Sequence, residues 1–271
     1  MLYLEAKPSP SLAAFIRSLW YTRAPEVPYE RERVLPNGCA QIILSLAADE
    51  LTDCGADSGE ESLGICRPQP PAILVGARGR YDVIHMRDLA ELIGIVFRPG
   101  GLAPWLQQRA DTLFEQSIAL DDVWSTRAVR DRLREENTPT QKLATLDNLL
   151  VKRLCGREVE RRPMVEAALL ALRQKNVRQT AQSLGVSERR IQQVFSEDVG
   201  LSPKLWGRIH RFQRALSALR SGEEMRWEQL ALRCGYYDQS HFSNDFRAFS
   251  GIDPTTYSAH RGQWRNHVAI E

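Results

Sequence analysis

The chain has 271 residues, 43% of them apolar, with 36 Lys+Arg against 34 Asp+Glu for a net charge of +2. That length exceeds the ~100 to 200 residues of a usual domain, so two modest cores are expected. No run of about eighteen apolar residues exists and the start MLYLEAKPSPS lacks a basic-then-apolar leader, so neither a membrane span nor a signal peptide is expected, and a cytoplasmic location is. The charge is uneven. Residues 161–271 hold 17 Lys+Arg against 11 Asp+Glu, and residues 1–160 hold 19 against 23, a division that suits a duplex-binding end and an end with another task.

In chain order, Val34 and Leu35 lead through the Pro36-Asn37-Gly38 turn into an apolar strand, CAQIILSLA at 39–47. Further strands are predicted at Ala72–Val75, Asp82–Met86 and Leu92–Phe97, broken by Gly76, Gly79 and the Pro99-Gly100-Gly101 turn. The acidic, Gly/Pro-rich stretch from Asp49 to Pro71 reads as a mobile loop. Helices follow at Leu102–Gln108, Asp122–Glu135 and Pro139–Leu154. On the last, Leu143, Leu146, Leu150 and Leu154 form a seam flanked by Lys142, Asp147, Lys152 and Arg153, which fits pairing with a second copy as well as packing on its own β domain.

Five cysteines, Cys39, Cys54, Cys66, Cys155 and Cys234, have no C-x-x-C spacing and read as free thiols, with a redox sensor as the sharper alternative and Cys54 the one expected to be exposed. His85 is the only histidine in residues 1–160, so a site of converging imidazoles has no ligands there, and neither a metal nor another cofactor is expected. No nucleophile elbow, Walker loop or dinucleotide fingerprint occurs, and the chain is not expected to be an enzyme. His85 reads as strand filling or as an effector contact. Arg98, before Pro-Gly-Gly, either grips an acidic effector or pins the turn through carbonyls.

The C-terminal part carries the strongest pattern. In VRQTAQSLGVSERRIQQVF (177–195), Val177, Ala181 and Leu184 make one apolar stripe behind an Asn176/Gln179 capping box, and Gly185 makes the turn. Ser187 caps a second helix that points Ile191, Val194 and Phe195 inward and Arg189, Gln192 and Gln193 outward. The stretch from Trp227 to Gly251 repeats the plan, with Leu230, Ala231 and Cys234 inside, a Gly235 turn, an Asp238 cap and Phe242, Phe246 and Phe249 as core anchors. Its outer face carries Gln239, Ser240, Ser243 and Asn244, with Asp245 as an acid beside them and His241 as a phosphate contact or a neutral packing residue. Between the units, Pro203 opens a helix to about Ser221 with Leu205, Ile209, Phe212, Leu216 and Leu219 buried and Arg208, Arg211, Arg214 and Arg220 free for solvent or phosphate. At about 1.5 Å per residue it is ~27 Å long, enough to hold two reading helices about one duplex turn apart.

The run from Asn176 to Tyr257, with GVS at 185–187, GLSP at 200–203, CGYYDQSHFSNDF at 234–246 and GIDP at 251–254, resembles the DNA-binding domain of the AraC/XylS transcriptional regulators. The resemblance implies two helix-turn-helix subdomains joined by a long helix. By position it implies base contacts at Arg189, Gln192, Gln193, Gln239, Ser240 and Asn244, with backbone or positioning contacts at Arg190, Arg208, Arg211, Ser243 and Arg247. Gln193 and Asn244 stand where the family often has Arg, which favours adenine over guanine contacts. In the first half, VLPNGCAQIILSL, VGARGRY, IGIVFRPGGLAPWL and IALDDVW resemble the cupin-like sensor domain of one branch of that family.

The expectation is therefore an α+β chain. It has a cupin-like β-rich sensing domain at 1–137, a helical dimerisation or linker segment at 138–160, and an all-α DNA-binding domain of two helix-turn-helix units at 161–271. The expected function is effector-controlled transcriptional regulation on double-stranded DNA as a homodimer, with RNA polymerase as partner if it activates. The alternative is a constitutive DNA-binding protein whose first domain only dimerises. A barrel pocket of mixed polar and aromatic lining favours the first, and a filled barrel the second.

Overall fold

The structure is a computed structural model that describes residues 2–24, 29–53, 67–155, 159–221, 225–262, 264 and 266–270. Cys54, Cys66 and most of the expected loop lie outside the described residues. The first half holds strands β1 (Leu2–Ala6), β2 (Ile16–Arg23), β3 (Arg31–Val34), β4 (Gln41–Ser45), β5 (Leu51–Asp53), β6 (Arg67–Gln69), β7 (Ala72–Val75), β8 (Asp82–His85), β9 (Leu92–Phe97) and β10 (Ser117–Ala119). A last strand, β11 (His267–Ile270), comes from the far end of the chain. They form two antiparallel sheets, β1-β2-β9-β4-β7-β10 and β11-β3-β8-β5-β6.

The first sheet is covered on both faces. Leu19, Tyr21, Ile42, Leu44, Leu74, Ile93, Ile95 and Phe97 pack outward into one core with Trp105, Leu143, Leu146 and Leu150. Their alternate neighbours face the second sheet. A strand buried on both faces has no polar–apolar alternation, which is why β2, IRSLWYTR, was not anticipated. β5 and β6 also correct the expectation of a single loop from Asp49 to Pro71.

Helices α1 (Leu102–Leu106), α2 (Arg127–Arg134) and α3 (Pro139–Leu154) lie on the outer face. The Thr138/Gln141 capping box and Pro139 start α3 where its leucine pattern begins. Its seam is spent inside the chain: Leu146 and Leu150 are 0% exposed. Lys142, expected on a charged flank, is buried instead and donates from Nζ to the Leu133 carbonyl at 2.8 Å, with Glu91 at 3.6 Å. The seam is therefore not a surface for a second copy.

The second half holds α4 (Pro163–Ala171), α5 (Val177–Ser183), α6 (Glu188–Val199), α7 (Pro203–Arg220), α8 (Trp227–Cys234), α9 (Gln239–Ser250) and α10 (Pro254–His260). After α10 the chain returns to the first half, where β11 pairs with β3 from His267↔Val34 to Ile270↔Arg31. The tail of the segment 161–271 thus belongs to a β-sheet rather than to an all-α unit.

Replacing Leu146 by Ala should cost about 2 to 5 kcal/mol, since the side chain leaves a cavity its neighbours fill only in part. Leu146→Glu combined with Leu150→Glu should unfold the first half, read as a lost thermal transition. A folded double variant that sediments at half the wild-type mass would return the seam to a dimer interface.

Candidate nucleic-acid interface

The first helix-turn-helix is built by local chemistry. Asn176 and Gln179 exchange hydrogen bonds across the start of α5 at 2.9 and 3.1 Å. Gly185 turns the chain at φ +66°, where a side chain would be strained. Ser187 Oγ then accepts from the Arg190 N–H at 3.1 Å to start α6. Ile191, Val194 and Phe195 are buried, and Arg189, Arg190, Gln192 and Gln193 are exposed. Arg190 donates to Gln193 at 3.3 Å, and Gln193 donates to Glu197 at 3.1 Å, so the outer face is pre-ordered.

The far end of α6 docks on the first half of the chain. Ser196 donates to Asp111, Arg109 pairs with Glu197 at 3.4 Å, and Gly200 lies against the Ala110 carbonyl so closely that a Cβ would sit 2.8 Å from its oxygen. Hydrogen bonds from Arg162 and then Gln193 hold the Glu197 carboxyl below its ordinary pKa, whereas burial pushes Asp198 up.

In the second unit Gly235 turns at φ +87° and Asp238 accepts from the His241 N–H at 2.7 Å. Gln239, Ser240, Asn244 and Arg247 are exposed, Ser243 is half-buried, and Phe242, Phe246 and Phe249 are core. Asp245 corrects the sequence reading. Its side chain is 7% exposed and accepts from Arg208 Nε and Nη2 at 3.1 and 2.7 Å, so it ties α9 to α7 rather than adding an acid to the outer face. His241 meets the Tyr236 ring edge-on at 5.3 Å and lies 3.9 Å from Asp245.

The four arginines of α7 are likewise engaged, not free. Besides Arg208, Arg211 lies over the Tyr236 ring at 5.5 Å, Arg214 donates to the Arg233 carbonyl at 2.8 Å, and Arg220 donates to Gly262 at 3.0 Å. The opposite face of α7 buries Trp206, Ile209, Phe212, Ala215 and Leu216, leaving Leu205 and Leu219 only partly covered. A groove of about 460 Å³ between the two units is lined by Lys175, Asn176, Lys204, Arg208, Arg211 and His241. Lys175 and Lys204 were missed from sequence because neither sits on a helix expected to read bases.

A second cavity, of about 520 Å³, lies between the two β-sheets. Register orders its floor. Ser18, Val96, Gln41, Val75 and Ser117 stand side by side across five strands, and the next row is Trp20, Gly94, Ile43, Ile73 and Ala119. Gly94 is required there, because a Cβ would meet the Trp20 ring at 2.4 Å. Arg17, turned by a bulge between Ile16 and Ser18, and Arg78, which donates to Ser117 at 2.8 Å and pairs with Asp82 at 3.0 Å, line the cavity with the polar row. Neither expected effector residue lines it. Arg98 donates from Nε to the Ala13 carbonyl at 2.7 Å and pins the turn, and His85 caps a short 3-10 turn by accepting from the Arg87 N–H.

Residues 180–260 match the family described as "Helix-turn-helix domain", and residues 4–119 match "Domain of unknown function (DUF6597)". No curated protein matches the chain. Among solved structures, the C-terminal domain of AraT, a response regulator from Geobacillus stearothermophilus, is 25% identical over 38% of this chain and 91% of that one, with a TM-score of 0.34. An AraC-type transcriptional regulator from Chromobacterium violaceum is 25% identical over 37% and 94%, with a TM-score of 0.34. ToxT from Vibrio cholerae O395 is 12% identical over 91% and 97%, with a TM-score of 0.44. Residues 180–260, from within α5 to the end of α10, are thus a helix-turn-helix domain. No helix among the described residues is long and apolar enough to cross a membrane.

Arg189→Ala and Gln192→Ala should relax base preference in one half of the bound site, by about 1 to 3 kcal/mol for each bidentate pair lost, with melting unchanged. Arg208→Ala should instead cost roughly the 1.5 to 3 kcal/mol of stability of a charged hydrogen bond, seen as a lower melting temperature, because it orphans Asp245. Site selection from a random duplex pool and calorimetry separate the two. An unchanged selected sequence for Arg189→Ala would remove α6 from the reading surface.

Proposed function

We propose that the protein is a sequence-specific transcriptional regulator controlled by a small effector bound between its β-sheets. Arg189, Gln192 and Gln193 of α6 and Gln239, Ser240 and Asn244 of α9 meet base edges in successive major-groove segments. Arg190, Ser243, Arg247, Lys175 and Lys204 meet phosphates, while Arg208 and Arg211 position helices from within. Residues 1–137 act as the sensing domain in the manner of a cupin-like barrel, 138–160 close its outer face, and 161 to about 260 read DNA in the cytoplasm. One copy carries two reading helices, and a homodimer on a paired site uses a surface other than the α3 leucines.

The observation that carries effector control is the unfilled cavity. Its ~520 Å³ falls in the range of small-molecule sites, and its lining mixes Trp20, Trp264, Ile43 and Ile73 with Arg17, Arg78, Gln41 and Ser18. A domain that only dimerises has no use for polar side chains around an internal space. The two rows favour a ligand with an apolar body over Trp20 and Ile73 and an anionic or hydrogen-bond-accepting head near Arg17 and Arg78.

Full-length protein on a selected duplex should lose at least about tenfold in affinity between roughly 50 and 200 mM salt, since each phosphate contact releases ~0.9 counterion. Affinity that stays flat across that range, or preference for single strands, contradicts the DNA-binding reading.

A further inference from the structure

The cavity is not walled by the first half of the chain alone. Trp264, Asn266 and His267, which follow the last helix of the DNA-binding domain, line it. Several contacts hold them to the sheets. β11 pairs with β3, His267 Nδ1 pairs with Glu32 Oε2 at 2.8 Å, the Trp264 and Tyr3 rings are 4.4 Å apart, and the Leu35 N–H donates to the Asn266 carbonyl at 2.7 Å. The same stretch is bound to α7. Gln213 Nε2 donates to Asn266 Oδ1 at 3.0 Å and to the Pro36 carbonyl at 2.8 Å, Arg220 donates to Gly262 at 3.0 Å, and the Arg261 guanidinium donates to the Leu219 carbonyl. Val268, 1% exposed, belongs to the core of the helical half.

We propose that Trp264 and Asn266 with β11 complete the ligand site and report its occupancy to α7. The proposal rests on the effector reading of the cavity. A ligand that touches Trp264 and Asn266 gains those contacts only while β11 is docked, so it stabilises the docked state by linkage. β11 is a four-residue strand at a sheet edge, the kind of element that opens first when nothing adds to its contacts. Docked, it holds α7 to the barrel through Gln213 and Arg220. Released, it leaves the helix that separates the two reading helices joined to the barrel by fewer contacts.

The probe is 1-anilinonaphthalene-8-sulfonate, an apolar ring system with one anionic group, titrated by fluorescence into full-length protein. Two readouts are taken: its affinity, and the rate at which carboxypeptidase trims the C-terminal residues. Saturable binding is expected, abolished by Ile73→Trp, which fills the cavity from its floor. Trp264→Ala should weaken binding roughly fivefold or more with an unchanged melting profile, and the probe should slow trimming by a similar factor in wild type but not in Ile73→Trp. If Ile73→Trp abolishes binding while wild-type trimming keeps its rate with the probe bound, β11 is not part of the site and the effector reading stands. The same conclusion follows if Trp264→Ala folds and binds as wild type. If full-length protein does not bind the probe saturably, the effector reading fails and this proposal fails with it.

Discussion

Burial of one face of α7 is the constraint on which the rest of the molecule depends. Trp206 meets Phe195 of α6 edge-on at 5.9 Å, and Phe212 meets Phe246 and Phe249 of α9 at 5.2 Å, so one helix supplies the core of both helix-turn-helix units. A helix gripped at both ends cannot bend without opening an aromatic core, and its 18 residues set the separation of α6 and α9. The ion pair between Arg208 and Asp245 adds direction to that packing, since it fixes how α9 sits on α7. α7 also reaches the β domain, where Trp206 and Ile209 lie against Gly38 and Gln213 caps the Pro36 carbonyl.

The first sheet divides the labour in the other half. Its outer face is a filled core closed by α3, and its inner face faces open space lined by a polar row and an apolar row. Stability and the proposed binding site thus come from opposite sides of the same strands, which lets the inner face carry Arg17, Gln41 and Ser18 without weakening the outer core. Where the two halves meet, polar contacts such as Arg109 with Glu197 and the Arg161 donation to the Pro99 carbonyl at 2.7 Å stand beside apolar ones, since Leu35 and Ala77 belong to the same core as Val165, Trp206 and Ile209.

The helical half was legible because its signals are local. Asn176, Gly185, Ser187, Gly235 and Asp238 each act within four residues, and the spacing of Phe242, Phe246 and Phe249 marks a buried face directly. The six side chains expected to meet bases, Arg189, Gln192, Gln193, Gln239, Ser240 and Asn244, followed from the same periodicity, and all six are solvent-facing. What sequence could not supply is pairing at long range. Nothing in Asp245 or Arg208 alone says that they neutralise each other across 37 positions, and nothing in HVAI says that it pairs with RERV more than 200 residues earlier. The cavity residues come from separate strands aligned only by register, so Arg98 and His85 stood out in sequence while Arg17, Trp20 and Trp264 did not.

The central claim is that one copy of the chain reads DNA with two helices held apart by α7. Hydroxyl-radical footprinting of full-length protein on a selected duplex tests it most directly. The account predicts two protected segments on one face of the duplex, about 10 base pairs apart centre to centre, one lost with Arg189→Ala plus Gln192→Ala and the other with Gln239→Ala plus Asn244→Ala. A single protected segment, or two that both survive either pair of substitutions, would contradict it.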